Sequence, residues 1–174
     1  MILLIILCIV FAVAAGYMAY RAYILAGLLA DIEDYYLDVE KTIQFIHKET
    51  VFRNGATYNK NTKKRIAAIV PVHVWGNAVW MDELVPLCEE RNIAVVEDAA
   101  ESLGTFYISG KYKNQHTGTI GRLGCLSFNG NKIVTAGGGG MILTDDEKLS
   151  EKTRYLSTQA KDDSVRYIHY EIGY

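Results

Sequence analysis

Residues 125–140 have the sequence CLSFNGNKIVTAGGGG, in which Lys132 is the single charged side chain. Ser127 lies five residues before this lysine, and the four glycines at 137–140 begin five residues after it. Residues 123–128 form a short apolar run that predicts a buried strand. The glycines let the backbone turn freely and approach a neighbouring segment closely. The pattern therefore predicts a strand, a loop that carries Lys132, and a tight turn.

Upstream of this stretch, apolar runs alternate with a helical pattern. Residues 65–74 form a continuous apolar run, which predicts a strand buried on both faces, as in a parallel sheet. Residues 81–91 have apolar side chains at helical spacing, and Pro86 should kink this helix or delay its start. Asn92 ends the helix, and residues 93–96 predict the next buried strand. A strand, a helix and a strand in this length predict a right-handed βαβ unit.

Asp98 follows the second strand of this unit. Ligands bind at the carboxyl ends of the strands in open α/β sheets, so Asp98 is predicted to lie at a ligand-binding edge. A buried lysine and a strand-end aspartate are what pyridoxal 5′-phosphate (PLP) requires of a protein. The lysine forms a Schiff base, and the aspartate keeps the pyridine nitrogen protonated so that the ring accepts electrons. Lys132 and Asp98 are therefore candidate PLP-binding residues.

The remaining segments predict smaller elements with recognisable ends. Asp38 can cap a first helix, and Asp145 or Asp146 can cap a last one. Segments rich in Asn, Gly and Lys predict loops or exposed hairpins. The predicted ranges are 39 to about 48 and about 147–158 for the helices, 52–64 and 107–119 for the loops or hairpins, and 141–144 for a strand.

Composition and charge argue against several classes of function. The 174 residues can bury one sizeable core, and a formal net charge of −2 suggests no polyanion partner such as nucleic acid. Cys8, Cys88 and Cys125 show no disulfide or zinc spacing, which suits a reducing compartment. The histidines suggest no metal site. His73 is either a core histidine with satisfied hydrogen bonds or an active-site residue.

The first thirty residues differ from the rest of the chain. Residues 1–20 contain no charged side chain and are long enough to cross a hydrocarbon core as a helix. Arg21 interrupts this run, and residues 22–30 are apolar again. Two interpretations stay open: a membrane segment, or a start that is not native to the fold, which would leave the protein cytoplasmic. The predicted organisation is a hydrophobic segment at 1–30 and an α/β domain at 31–174.

Four short motifs carry the most specific signal in the chain: EDAAESLG at 97–104, GTIG at 118–121, SF at 127–128 with Lys132 and the glycines, and GMILTD at 140–145. In this order and spacing they closely resemble the DegT/DnrJ/EryC1/StrS family of PLP-dependent sugar aminotransferases. The resemblance extends over residues 31–174 and includes His73 and Gly76. Within the family, the aminotransferases of UDP-linked 4-keto-6-deoxy amino sugars are the most similar.

The resemblance implies a fold, a cofactor and a set of site residues. The fold is α/β, part of the large domain of the aspartate aminotransferase type (fold type I), with a mixed, mostly parallel sheet flanked by helices. The cofactor is PLP, held in a homodimer with active sites at the subunit interface. By resemblance, Lys132 is the Schiff-base lysine and catalytic base, Asp98 pairs with the pyridinium nitrogen, and Ser127 contacts the phosphate. Glu101 lies near the ring hydroxyl, where many members have Gln or His.

The activity implied by the resemblance is transfer of an amino group, with glutamate as donor, to a keto carbon of a nucleotide-linked sugar. Such enzymes serve the biosynthesis of bacterial surface polysaccharides or nonulosonic acids. The sequence departs from the family at both ends, since residues 1–30 replace a glycine-bearing segment that cradles the cofactor phosphate and a C-terminal small domain is missing. The expectation is a partial large domain. The alternative is a membrane-tethered or catalytically inert fragment of such an enzyme.

Overall fold

The computed structural model describes residues 38–163, 165–166 and 168–173. No helix within these ranges is long and apolar enough to span a membrane. The hydrophobic segment at 1–30 and the predicted boundary that follows it lie outside the described residues, so both interpretations of that segment stay predictions.

The chain divides into two compact units, Met1–Gln44 and Phe45–Tyr174. The described residues of the first unit are helical, and this helix, α1, ends at residue 49. The predicted helix over residues 39–48 is therefore confirmed. Asp38, the predicted cap, is itself helical. Within the second unit, Ile46 of α1 is completely buried.

A small antiparallel sheet follows α1. Strands β1 (Thr50–Arg53) and β2 (Ala56–Asn59) form a hairpin, and β3 (Arg65–Ile66) pairs with the other edge of β2. Asn54 and Gly55 connect β1 to β2 with backbone φ angles of 51° and 73°. Two consecutive positive φ angles are typical of the two-residue turns that match the twist of a hairpin. The predicted loop or hairpin over residues 52–64 is thus a hairpin.

The predicted strand over residues 65–74 is not one strand, and it is not buried on both faces. It divides into β3 and β4 (Ala68–Ile69), which belong to different sheets. The side chain of Val70 is 59% exposed. Within the described part of the chain, β4 pairs with β5 alone and so forms the edge of its sheet. Pro71, which follows, has no N–H for a sheet hydrogen bond, as is common at sheet edges.

Helix α2 (Met81–Glu90) runs through Pro86 without a break, so the predicted late start is wrong. A proline inside a helix costs about 3 kcal/mol, because it removes a hydrogen bond and crowds the preceding turn. Each large apolar side chain that becomes buried contributes about 1.5–3 kcal/mol. Burial therefore outweighs the cost of the exposed proline; the buried side chains of α2 are Met81, Leu84, Val85, Leu87 and Cys88.

The end of α2 follows a recurrent hydrogen-bond pattern. Asn92 has a φ of 50°, its N–H donates to the carbonyl of Glu89, and the N–H of Ile93 donates to the carbonyl of Cys88. These two bonds satisfy carbonyls that the helix itself leaves unpaired. Asparagine tolerates the left-handed conformation better than most residues. The prediction that Asn92 ends the helix is confirmed.

The second sheet has the order β4-β5-β6-β7, where β5 is Ala94–Asp98, β6 is Leu123–Ser127 and β7 is Gly140–Leu143. The pairs β4–β5 and β5–β6 are parallel, and β6–β7 is antiparallel. Strand β4, helix α2 and strand β5 form the predicted βαβ unit. Helix α3 (Glu147–Ser157) follows β7, and Asp146 caps it by accepting a hydrogen bond from the N–H of Leu149 at 3.1 Å. The predicted mixed, mostly parallel sheet is confirmed.

The two central strands, β5 and β6, present different faces. Their register pairs Glu97 with Gly124 and Asp98 with Cys125, so that side chains alternate in step along both strands. The face with Glu97 and Gly124 is buried. The opposite face, with Asp98, Cys125 and Ser127, is only half buried. The carboxyl ends of two neighbouring strands thus place Asp98 and Ser127 on the same face of the sheet.

Candidate active site

Lys132 lies in the loop that joins β6 to β7. Its N–H donates to the carbonyl of Asn129 at 3.0 Å, which makes a tight turn. Phe128 closes the loop with two backbone bonds, since its N–H donates to the carbonyl of Gly139 and its carbonyl accepts from the N–H of Ala136, both at 3.0 Å. The lysine side chain is only 18% exposed. The loop therefore holds Lys132 in a partly enclosed position next to the end of β6.

A carboxylate from the segment after β5 meets this lysine. Nζ of Lys132 lies 3.4 Å from Oε1 of Glu101, and Oε2 of Glu101 accepts a hydrogen bond from the backbone N–H of Trp75 at 3.0 Å. The Trp75 N–H, and then Lys132, hold the pKa of Glu101 below its ordinary value. Glu101 is thus charged at neutral pH and connects the Lys132 loop to the turn at Trp75.

The turn that contains Trp75 has an unusual backbone. Residues Val74–Gly76 form a single 3₁₀ turn, in which Trp75 has a φ of 51° and Gly76 a φ of 82°. A left-handed conformation is unfavourable for a large residue such as tryptophan. It persists here because neighbouring groups hold both ends: Thr105 donates to the carbonyl of Gly76 at 2.9 Å, and Glu101 accepts from Trp75. Outliers of this kind cluster at functional sites.

Asp98 is the last residue of β5, as predicted. Oδ1 of Asp98 accepts a hydrogen bond from the N–H of Ala100 at 3.1 Å, and no described residue bonds to its Oδ2. Burial, followed by the nearby charge of Asp98, raises the pKa of Cys125. Ser127, the last residue of β6, accepts a bond from the N–H of Asn129 at 3.4 Å. Both strand ends therefore offer a polar group with hydrogen-bonding capacity left.

The four predicted site residues lie at or just after the carboxyl ends of two neighbouring strands. Asp98 and Glu101 belong to the end of β5 and the segment after it, and Ser127 and Lys132 to the end of β6 and the loop after it. Lys132 and Glu101 are in contact, whereas Asp98 and Ser127 make no hydrogen bond or ion pair with Lys132 in the described structure. An amine, a carboxylate oxygen and a hydroxyl are the groups that an aldehyde, a pyridinium nitrogen and a phosphate require. The residues present therefore fit PLP. Two cavities, of about 410 and 520 Å³, are lined by none of the four residues, and the larger one is lined by Cys125, which lies on the same face of the sheet as Asp98 and Ser127.

The sequence left two alternatives open for His73 and gave no role to Glu97. Both side chains are completely buried, and Nε2 of His73 lies 2.9 Å from Oε2 of Glu97. His73 is thus a core histidine with satisfied hydrogen bonds. The polar residue at an inward-facing position of a buried strand was the signal that could have identified Glu97.

Known proteins similar to this chain include several aminotransferases. The family model for the DegT/DnrJ/EryC1/StrS aminotransferase family matches residues 21–174. The chain is 49% identical over 107 residues to the putative pyridoxal phosphate-dependent aminotransferase EpsN of Bacillus subtilis (strain 168), an alignment that covers 62% of this chain and 26% of EpsN. It is 39% identical over 110 residues to a GDP-perosamine synthase of Caulobacter vibrioides, with 63% and 28% covered. The chain therefore spans between a quarter and a third of the length of these relatives.

Solved structures show the same fold. An aminotransferase of this family from Brucella abortus superposes with a TM-score of 0.55 at 29% identity, covering 66% of this chain and 29% of that one. Helicobacter pylori PseC, an aminotransferase involved in the biosynthesis of pseudoaminic acid, superposes with a TM-score of 0.53 at 26% identity, with 62% and 28% covered. Since the family model matches most of its residues, this chain belongs to the DegT/DnrJ/EryC1/StrS aminotransferase family.

Proposed function

We propose that the protein acts as a PLP-dependent transaminase that moves an amino group, with glutamate as donor, to a keto carbon of a nucleotide-linked sugar. The observation that carries this proposal is the position of Lys132, which is 18% exposed and held beside the ends of two parallel strands that carry Asp98 and Ser127. The family is PLP-dependent, and the similarity to a GDP-perosamine synthase supports a nucleotide-linked sugar as substrate.

Each residue of the site has a distinct part in this proposal. PLP, when bound, supplies an electron sink that makes a C–H bond beside the transferred nitrogen acidic. Lys132 would hold the cofactor through Nζ, and the same amine, when not bonded to the cofactor, would be the base that takes up and returns a proton. Asp98 keeps the pyridine nitrogen protonated, and its unbonded Oδ2 is suited to this task. Ser127 would donate a hydrogen bond from its hydroxyl to the phosphate of the cofactor.

Glu101 has a different part from the Gln or His of many family members. Its carboxylate has no proton to donate, so it accepts a hydrogen bond from the ring oxygen only when that oxygen is protonated. In the structure it already accepts from the N–H of Trp75 and pairs with Lys132. We assign to Glu101 the orientation of Lys132 before the cofactor is attached.

Reductive trapping tests the cofactor site. The purified chain is incubated with PLP, reduced with borohydride, and digested for mass spectrometry of the modified peptides. We expect a pyridoxyl adduct on Lys132 that is absent from Lys132→Ala. Lys64→Ala is the matched control, since Lys64 is an exposed lysine that lies just before β3. Adducts spread over the exposed lysines, or no adduct, would refute the proposed site and favour an inert fragment.

The substrate is tested separately. GDP- and UDP-linked 4-keto-6-deoxy sugars are offered together with glutamate, and mass spectrometry follows conversion of the keto sugar to an amino sugar. Trapping on Lys132 without conversion of any such sugar would leave the cofactor site intact and contradict the substrate class.

A homodimer is also part of the proposal. Several large apolar side chains are strongly exposed, and a partner subunit would cover them. Trp75 and Ile133 are 81% and 65% exposed. Both lie next to the candidate site, because Trp75 bonds to Glu101 and Ile133 follows Lys132 in the chain. Sedimentation equilibrium measures the assembly state, and a monomer at micromolar concentration would contradict the dimer.

A further inference from the structure

Glu97 is a completely buried carboxylate with four hydrogen-bond donors around it. Oε2 accepts from Nε2 of His73 at 2.9 Å and from the N–H of Gly118 at 2.8 Å. Oε1 accepts from the N–H groups of Ile120 at 2.7 Å and Gly121 at 2.5 Å. Burial raises the pKa of Glu97, but the bonds from His73 and the three backbone groups outweigh it and hold the pKa below its ordinary value. The buried carboxylate is therefore charged and saturated with donors.

His73 has a defined tautomer because of its second contact. Nδ1 of His73 accepts a hydrogen bond from the backbone N–H of Val79 at 3.0 Å. The ring proton is therefore on Nε2, from which it is donated to Glu97. One buried pair thus fixes three segments: the end of β5, the loop 118–121, and the turn between His73 and Val79.

Two of these segments carry residues of the candidate active site. Glu97 precedes Asp98 in β5, and the backbone N–H of His73 donates to the carbonyl of Asp98 at 2.9 Å. The carbonyl of His73 accepts from the N–H of Gly76 at 3.3 Å, which closes the turn around Trp75. The N–H of Trp75 then holds Glu101, and Glu101 pairs with Lys132. A continuous series of bonds therefore leads from the buried pair to Lys132.

We infer that Glu97 and His73 are positioning residues of the active site, which orient Lys132 through the turn at Trp75 and through Glu101. This inference rests on the proposed function only in calling Lys132 the reactive lysine. The bonds themselves exist without any cofactor. A buried polar pair of this kind could instead serve stability alone, so the test has to separate the orientation of Lys132 from the stability of the fold.

The test measures the reactivity of Lys132 without PLP. The chain is labelled with a trace of acetic anhydride, and peptide mass spectrometry compares acetylation of Lys132 with that of Lys64 as an internal reference. In Glu97→Gln, one amide NH₂ must face two donors, because both oxygens of Glu97 accept two bonds each. We expect the turn at Trp75 to move and the relative acetylation of Lys132 to rise about 5-fold, which corresponds to the loss of a solvent-accessible ion pair.

Two further variants separate orientation from stability. Thr57→Ala is the matched control, since it removes a fully buried side chain that bonds to the carbonyl of Arg91 in another part of the unit. We expect Thr57→Ala to lower the stability of the fold and to leave the relative acetylation of Lys132 unchanged. His73→Gln keeps an amide NH₂ that can donate to Glu97 but has no acceptor at the position of Nδ1, to which the N–H of Val79 donates. We therefore expect a smaller rise in the acetylation of Lys132 than in Glu97→Gln.

The inference is overturned if Lys132 is acetylated equally in Glu97→Gln and Thr57→Ala. If Glu97→Gln does not fold, His73→Gln is compared with Thr57→Ala by the same criterion. A rise in acetylation without a PLP adduct on Lys132 would support the positioning role and refute the proposed cofactor site. The reverse result would retain the cofactor site and refute the positioning role.

Discussion

Glu97 and Asp98 are neighbours in the sequence, yet their carboxylates have different surroundings. Side chains alternate across a strand, so Glu97 points into the buried face and Asp98 into the half-buried one. Glu97 accepts four hydrogen bonds, while Asp98 accepts one, from Ala100. The carboxylate of Glu97 is therefore saturated with donors, whereas that of Asp98 has an oxygen to which no described residue bonds.

The two cysteines of the described structure also differ. Cys88 is completely buried in α2, and burial, followed by the charge of Glu89, raises its pKa to about 11. The thiolate is the reactive form, so a rise from 9.0 to about 11 lowers its population at pH 8 about 100-fold. We expect iodoacetamide at pH 8 to leave Cys88 unmodified in the native protein and to modify it in urea, as measured by peptide mass spectrometry. The half-buried Cys125 should react sooner, and faster labelling of Cys88 would contradict its burial.

At the scale of elements, the loop 118–121 and strand β6 lie in direct backbone contact. A Cβ atom at Gly124 would lie 1.9 Å from the carbonyl oxygen of Gly118, and one at Gly121 would lie 2.7 Å from the carbonyl oxygen of Val95. Gly124 is also the strand partner of Glu97. Glycine is therefore required here, because it lets the loop approach closely enough to donate its N–H groups to Glu97.

Gly124→Ala tests this packing. The added methyl group meets backbone that cannot rotate away, so we expect a loss of about 3 kcal/mol or more in the free energy of unfolding, at the upper end for overpacking. Gly130→Ala is the matched control, because a Cβ there meets no atom within 4 Å and the glycine has no positive φ. We expect Gly130→Ala to change stability by less than about 1 kcal/mol. Urea unfolding measures both, and equal stability of the two variants would contradict the close approach.

At the scale of the whole molecule, stability should depend on pH through the carboxylates with lowered pKa values. Glu97 and Glu101 titrate below 4.5 in the folded chain, whereas an unfolded glutamate titrates near 4.5. The unfolded state therefore binds more protons in this range, and the free energy of unfolding rises with pH. The stabilisation is complete above about pH 4.5 and is lost as the pH falls through the folded pKa values.

We therefore expect the urea midpoint of the wild type to fall between pH 6 and pH 3.5, as followed by circular dichroism. Glu97→Gln should be less stable at pH 6 and show a smaller fall, because its amide does not titrate. Thr57→Ala keeps both carboxylates, so its urea midpoint should depend on pH as steeply as that of the wild type. If the urea midpoint of Glu97→Gln fell with pH as steeply as that of the wild type, Glu97 would be excluded as a source of the pH dependence.

Local patterns predicted most of the fold. Helix α2 and its end at Asn92, the loop or hairpin at residues 52–64, and the cap of α3 all depend on residues close together in the sequence. The position of Asp98 at a strand end follows from the same reasoning, because the βαβ pattern sets the direction of β5. The motifs around Lys132 identified the family, which the comparisons confirm.

The errors and omissions concern contacts between distant segments. Residues 65–74 are apolar enough for a central strand, yet whether a strand is central or at an edge depends on which strands pair with it. Pro86 is unfavourable within α2, but the buried face of the helix outweighs it. The contact of Glu101 with Trp75 joins residues 26 positions apart, and no local pattern predicts it.

By itself, the sequence determined the family, the three helices, the strands β5 to β7, and the placement of Asp98, Ser127 and Lys132 near strand ends. Periodicity, capping and turn chemistry act over a few residues, so they can be read directly from the chain. Only the tertiary structure decided that Glu97 is the saturated core carboxylate and that His73 is its partner. Four donors had to be brought together from positions 73, 118, 120 and 121. Desolvation of a charge is compensated only by such a three-dimensional arrangement of dipoles.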